Sequence, residues 1–326
     1  MKKLTISFLT LVLSLPALAQ AKHNHHHHIS APPGIMGDHL HPKGDWMMSY
    51  SYMKMNMNGN RNGTTRLNTP LPGFMVSPLS MDMKMHMFGV MMGYNDNLTL
   101  MLMLPVLDIS MDHQVNMNGT LFTTRASGIG DIKLSAMFKL QENWLANAGL
   151  NLPSGDINAK DSTPASSGNN VQLPYPMQLG SGSYEATAGI SFIRSNQQHQ
   201  WGNKADIVLR LNDNNRDYRL GNRLKLSSWY SQKLNPQSTL SARLLLQKWG
   251  NISGADTAPS INPAMVPTAD TQLRAGMRAD ILVGFNYKLT PSYLLGIELG
   301  VPVYQNLDGP QLETDQTLQL AMQYDF

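Results

Sequence analysis

The sequence predicts an all-β protein: an antiparallel transmembrane β-barrel of about twelve strands, behind a cleaved signal peptide and an irregular His-rich N-terminal extension. Three observations predict it. Segments of strand length alternate apolar and polar side chains from Trp46 to Phe326. The connections between them alternate short and long. The chain has no cysteine, so an exported fold must be closed by something other than disulfides.

Lys2 and Lys3 open the chain, an uncharged and mostly apolar run follows from Leu4 to Leu18, and Ala17-Leu18-Ala19 has the small-x-small cleavage pattern. Ser14 and Pro16 interrupt the run, which is short for a spanning helix. Residues 1–21 are therefore read as the signal peptide, and export leads to the outer membrane of a Gram-negative cell. No other run approaches the ~18 apolar residues of a helical span. Residues 22–45 are polar, His-rich and broken by proline and glycine. Residues 46–326 are the barrel.

Expected strands are 46–57, 81–93, 97–109, 129–140, 144–152, 184–194, 201–212, 218–232, 239–250, 273–289, 292–304 and 315–326. The last is clear: Leu318, Leu320, Met322, Tyr324 and Phe326 share one face, and Thr317, Gln319, Ala321, Gln323 and Asp325 share the other. The tenth puts Met277, Ile281, Val283, Phe285 and Tyr287 on one face. Arg274, Arg278, Asp280, Asn286 and Lys288 take the other. It is far longer than a usual strand of five or six residues and suits a crossing that is apolar outside and polar inside.

Short turns fall at 93–96, 141–143, 195–200, 235–237 and 290–291. Long loops fall near 58–80, 110–128, 153–183, 251–272 and 305–314. An even strand count puts both termini on the short-turn, periplasmic side. Aromatic side chains gather at strand ends, Trp46, Tyr94, Trp144, Trp201, Tyr287 and Tyr324 on one side and Tyr184, Tyr218, Trp249 and Tyr304 on the other, as headgroup belts require. The terminal Phe326 resembles the signal read by barrel-assembly machinery, so that machinery and outer-membrane lipid are the expected partners.

No catalytic constellation emerges. His86, His113 and His199 are isolated, no Gly-x-Ser-x-Gly elbow occurs, and Gly128-Ile129-Gly130-Asp131 lacks a phosphate-loop lysine. An enzyme is not expected. A formal charge of +3, two of it in the signal peptide, gives no argument for nucleic acid.

Inward parity collects a basic wall of Arg210, Arg219, Arg223, Lys225, Arg243, Arg274, Arg278 and Lys288, with acidic residues among them. It reads either as an ion-pair lattice or as a surface that concentrates anionic solutes. Methionine, at 23 residues, is the compositional anomaly. Parity puts Met53 and Met55, then Met83, Met85 and Met87, then Met101 and Met103 on the inner face of three adjacent strands. Flexible thioethers fill irregular interiors, slide hydrophobic or aromatic molecules, or ligate Cu(I) or Ag(I). His23, His25, His26, His27 and His28, with His39 and His41, add a tract that suits Cu(II).

Pro33-Gly34-Ile35-Met36-Gly37-Asp38-His39, then Lys43-Gly44-Asp45-Trp46-Met47-Met48-Ser49-Tyr50, and Leu98-Thr99-Leu100-Met101-Leu102-Met103-Leu104-Pro105 after Gly93-Tyr94, carry a resemblance. They resemble the outer-membrane transporter family of the MetA pathway of phenol degradation. The resemblance implies a transmembrane barrel and a channel for aromatic compounds. It supplies no ligand residues. The expected function is an outer-membrane channel or transporter for a small aromatic or hydrophobic solute. The alternative is a copper- or silver-handling protein with metal-ion cargo, built on the His tract and the Met-lined lumen.

Overall fold

The computed structural model describes residues 29–326. The expected signal peptide and His23, His25, His26, His27 and His28 lie outside the described residues. Eleven strands form one closed antiparallel sheet. They are β1 (Trp46–Gly63), β2 (Val76–Asn95), β3 (Leu98–Val115), β4 (Ile132–Gln141), β5 (Trp144–Leu152), β6 (Glu185–Ser195), β7 (His199–Arg210), β8 (Arg223–Lys233), β9 (Ser238–Trp249), β10 (Gly276–Lys288) and β11 (Tyr293–Asp325).

Every neighbour in the sheet is a neighbour in sequence, and β11 closes the ring on β1 through pairs such as Met47 with Asp325 and Tyr52 with Leu320. β11 runs 33 residues and crosses the wall twice. Its first limb, from Leu294 to Leu307, pairs with β10. Its second limb, from Leu307 to Asp325, pairs with β1. The limbs lie side by side: Asp325 N–H donates to Ser292 O at 3.0 Å, and the Tyr293 and Tyr324 rings are 4.4 Å apart. Eleven continuous strands thus give twelve crossings.

Burial is inverted relative to a soluble protein. Val283, Leu299 and Val301 on the outside are more than half exposed, whereas Glu298 and Asp280 inside are 1% and 3% exposed. Charged groups are almost never fully buried unless paired, and a sheet satisfies every backbone group in hydrocarbon only when it is closed. No described helix is long and apolar enough to cross a membrane; the strands are the crossing elements.

Three expected loops are largely strand. β1 continues to Gly63 and pairs with Thr65–Leu67, β2 begins at Val76, and β3 continues to Val115, paired with Leu121–Ile129. The reason is a reversal of pattern. Beyond the apolar band, Asp108 and Asp112 face outward, while Ile109 and Met111, each 1% exposed, face inward. That is the alternation of a water-facing hairpin. The expected loop 305–314 is likewise the continuous turn of β11. Two strands start later than expected, at Arg223 and Gly276, because Tyr218, Arg219 and Arg274 belong to loop structure. Tyr218 is 1% exposed in an outer-loop core. Trp249 points inward and donates to Arg274 O at 2.8 Å. Neither is part of an outer aromatic belt.

The topology predicts that an epitope in the 153–183 loop is accessible on intact cells and one beside Asn235 is not. Labelling with a membrane-impermeant antibody checks this, and surface labelling beside Asn235 would contradict it.

Candidate functional site

The lumen is occupied at its periplasmic end by the chain's own N-terminal segment. Ile29, Ala31 and Ile35 are buried at 3–6% exposure. Ala31 and Ile35 pack on Trp229, a β8 side chain directed inward. The barrel holds this plug mainly through its backbone carbonyls. Gln200 Nε2 donates to Ile29 O at 2.7 Å, Asn286 Nδ2 to Ala31 O at 2.7 Å, Gln319 Nε2 to Pro33 O at 3.1 Å and Lys204 Nζ to Met36 O at 3.1 Å. Trp229 Nε1 donates to Gln200 Oε1 at 2.9 Å and so fixes the amide that holds Ile29. Pro33 sits where β11 has Gly296; a Cβ there would be 2.7 Å from Pro33 Cγ. The segment then turns back to the periplasmic rim, with His41 N–H donating to Thr99 Oγ1 at 2.9 Å and Lys43 N–H to Asp96 Oδ1 at 3.1 Å. A Cβ at Gly93 would collide with the Pro42 backbone.

Asp38 stabilises the turn of the plug. It accepts from Ala31 N–H at 3.2 Å and contacts His39 Nδ1 at 2.8 Å. Burial alone would raise its pKa, but the His39 charge and these hydrogen bonds outweigh burial and hold it at about 2. Burial, with His39 beside it, pushes His41 down to about 4, so that imidazole is neutral at neutral pH.

Loops cover the outer mouth. The 153–183 loop turns inward, and Leu173, Met177 and Leu179 pack on Met81, Ile109, Met111 and Ala126. The 251–272 loop reaches from between β9 and β10 to the start of β2, where Met75 and Val76 N–H donate to Met265 O at 3.0 and 2.9 Å. Arg216 ties the loops together through Asp256, at 2.5 and 2.8 Å, and Asp256 N–H donates to Tyr175 OH at 3.0 Å. Hydrogen bonding and charge at Asp256 raise the Arg216 pKa.

Between plug and lid lies the wall that parity predicts, with differences. Arg243 and Glu298 form a buried bidentate pair, with Nε–Oε1 at 3.0 Å. Arg278 pairs with Asp280 at 2.9 Å and also donates to Thr314. Arg210 lies 2.9 Å from Glu185. Lys204 is 3.4 Å from Asp206. The ion-pair lattice thus accounts for much of the wall. Arg223 and Lys225 have no carboxylate within ion-pairing distance among the described residues, although Lys225 is opposite Asp206 in the ladder. Two members of the expected wall leave it: Arg219 pairs with Asp213 at 3.4 Å in the outer loops, and Arg274 Nε donates to Leu273 O at 2.7 Å just before β10. Lys288 sits at the periplasmic rim beside Ile29 and Ser30.

The methionines form cross-strand ladders. Met53 is opposite Met85 and Met55 opposite Met83 on β1 and β2. Met87 lies beside Ser51 and Pro105. Met101 is opposite Met91, and Met103 is opposite Gly89. Met55 Sδ is 4.0 Å from Arg278 Nη1 across the inner surface, which fixes the inward direction. Asp82, Lys84 and His86 therefore face outward, partnered by Asn56, Asp108 at 3.7 Å and Tyr50 at 2.8 Å. His39 and His41 are brought together in the plug, ring centroids 4.9 Å apart. The described residues contain no group of three or more His, Asp or Glu placed to hold a metal ion.

The plug's anchors were not among the expected site residues. A signal for them exists in the sequence: Ile29, Ala31, Pro32, Pro33 and Ile35 are too apolar for a solvated tail, and Gln200, Asn286 and Gln319 are neutral amides on inward positions.

A family profile for the MetA pathway of phenol degradation matches residues 81–309, more than two-thirds of the chain. A comparison with curated proteins finds no match. Among solved structures, an outer membrane channel from Pseudomonas putida F1 is similar over 91% of this chain and 100% of its own, with 16% identity and a TM-score of 0.65. The monoaromatic hydrocarbon channel CymD is similar over 88% of this chain and 89% of its own, at 10% identity and a TM-score of 0.44. The toluene transporter TodX of P. putida is similar over 87% of this chain and 90% of its own, at 9% identity and a TM-score of 0.43.

Proposed function

The chain belongs to the family of the MetA pathway of phenol degradation, and from that premise we propose that it is an outer-membrane channel passing a small solute with an aromatic or apolar body. The observation that carries the reading is the lumen: a thioether wall on β1–β3 faces a polar, partly basic wall, inside a barrel whose outer surface is apolar. Thioethers make favourable contacts with aromatic edges, and the polar wall keeps the interior wet. Passage requires the 29–41 plug and the outer loops to give way, so the resting state is closed and transport is gated. Purified full-length protein in liposomes tests this by solute entry. Entry of small aromatic solutes above protein-free controls is expected. Absence of flux for every solute, with the plug both present and deleted, would remove the channel reading.

A further inference from the structure

The lumen carboxylates are already engaged. Asp131 accepts Gly155 N–H at 2.9 Å and the N–H and hydroxyl of Ser181 at 2.8 and 2.7 Å. Glu185 is shared between Asn151 Nδ2 at 2.6 Å and Arg210 at 2.9 Å. Asp206, Asp280 and Glu298 have Lys204, Arg278 and Arg243. Lys133, Arg223 and Lys225 have no carboxylate within ion-pairing distance among the described residues, and Glu185 and Asp206, already engaged elsewhere, act on them only from farther away. The ladder places them together: Lys133 is opposite Asn151, Asn151 opposite Glu185, and Glu185 opposite Arg210, while Arg223 and Lys225 are opposite Val208 and Asp206 on the next strand. Lys225 lies within electrostatic reach of Lys133 and Arg223 as well as of Asp206, and Arg223 within reach of Arg210 as well as of Glu185. Arg210 Nη1 is itself buried with no acceptor among the described residues. Their direction is inward: they alternate with Leu134, Leu224 and Leu226, which are exposed on the outer surface.

This excess of positive charge adjoins the thioether wall. Lys133 on β4 is directly opposite Met103 on β3. At the other edge of the wall, Arg278 Nη1 reaches Met55 Sδ at 4.0 Å. Like charges in a confined space repel, and a charged cleft focuses its field on a counter-ion. The wall is three strands across, about 10 Å between its outer strands at ~4.8 Å spacing, which is broad enough to seat a single aromatic ring.

We infer that the lumen binds small aromatic carboxylates, with the anionic group held by Lys133, Arg210, Arg223 and Lys225 and the ring lying on the methionines of β1–β3. The inference rests on the channel reading and narrows its cargo from solutes with an aromatic or apolar body to aromatic acids. Guanidinium and ammonium groups donate charge-assisted hydrogen bonds to carboxylate, and the thioethers contact the ring edge. A neutral phenol or hydrocarbon uses only the second half of the site. A small inorganic anion uses only the first.

Equilibrium dialysis of the full-length protein in detergent tests it, with radiolabelled benzoate, benzyl alcohol and acetate as probes. Benzoate should bind at least about tenfold more tightly than either of the others. The K133Q/R223Q/K225Q variant should lose about tenfold or more in benzoate affinity and leave benzyl alcohol unchanged. The K133R/K225R variant should retain benzoate binding. A heat-dependent shift in electrophoretic mobility identifies folded barrels, and K225Q alone serves if the triple variant fails to fold. Equal affinity for benzoate and benzyl alcohol, equal affinity for benzoate and acetate, no benzoate binding, or benzoate binding unchanged by charge removal would each overturn the inference. Liposome flux judges the channel reading separately, since flux without benzoate preference leaves a channel standing and removes only the aromatic-acid cargo.

Discussion

Deleting residues 29–41 is expected to raise single-channel conductance in planar bilayers severalfold. This segment fills the periplasmic half of the lumen, and four carbonyls, those of Ile29, Ala31, Pro33 and Met36, are held by barrel side chains. The anchors belong to strands on different sides of the ring, β7, β10 and β11, so the segment is pinned across the lumen rather than along one wall. A net hydrogen bond contributes ~1 kcal/mol, so no single anchor decides the plug's position, and Gln200→Ala alone should have a small effect. Deletion removes all four contacts and the packing on Trp229 together. It leaves the barrel closed, because β1 begins at Trp46 and its pairing with β11 does not involve the segment. Conductance equal to that of the parent would place the limiting constriction in the outer loops, where Met177 and Leu179 pack on the methionine wall.

Glu298→Gln is expected to be among the most destabilising single substitutions in the barrel. Arg243 and Glu298 side chains are 6% and 1% exposed, and Gly34 of the plug lies against both. Removing one member of a buried pair strands the other charge, at a cost of about 3–5 kcal/mol. Replacing both, as in Arg243→Met with Glu298→Leu, should recover most of that loss, because no isolated charge remains. Urea titration of the micelle-bound protein, followed by Trp fluorescence, measures both variants. Equal stability of Glu298→Gln and parent would mean that water reaches Arg243 and replaces its partner. The single substitution should also loosen the plug, since the pair forms the floor on which Gly34 rests.

The membrane-crossing wall is legible in the amino-acid pattern. A strand's side chains alternate faces, so each segment carries its own record of outside and inside; Leu318, Leu320 and Met322 read as outer residues without knowledge of their neighbours. The same local rule placed Met53, Met55, Met83 and Met85 on the inner face. It failed where the environment outside the strand changed. β3 beyond Asp108 keeps its parity while its outer face turns from lipid to water, so its extension read as loop. Arg219 and Arg274 fitted the alternation by residue type, but Tyr218 and Arg219 pair with Ser253 and Gly254 in an outer-loop ribbon, and β10 begins only at Gly276.

What fills the lumen depends on contacts between strands far apart in the chain. Which cation finds a carboxylate depends on register between strands distant in sequence: Arg243 meets Glu298 from 55 residues away, while Lys225 is opposite Asp206 in the ladder but the short ion pair to Asp206 is made by Lys204. The plug is the extreme case. Pairing Asn286 with Ala31 spans 255 residues, and no local pattern in Ile29, Ala31 or Pro33 says which end of which strand will hold their carbonyls. Periodicity fixes the face on which a side chain lies. Ring closure fixes what it meets there, because only closure brings the first residues and the last strands around one interior.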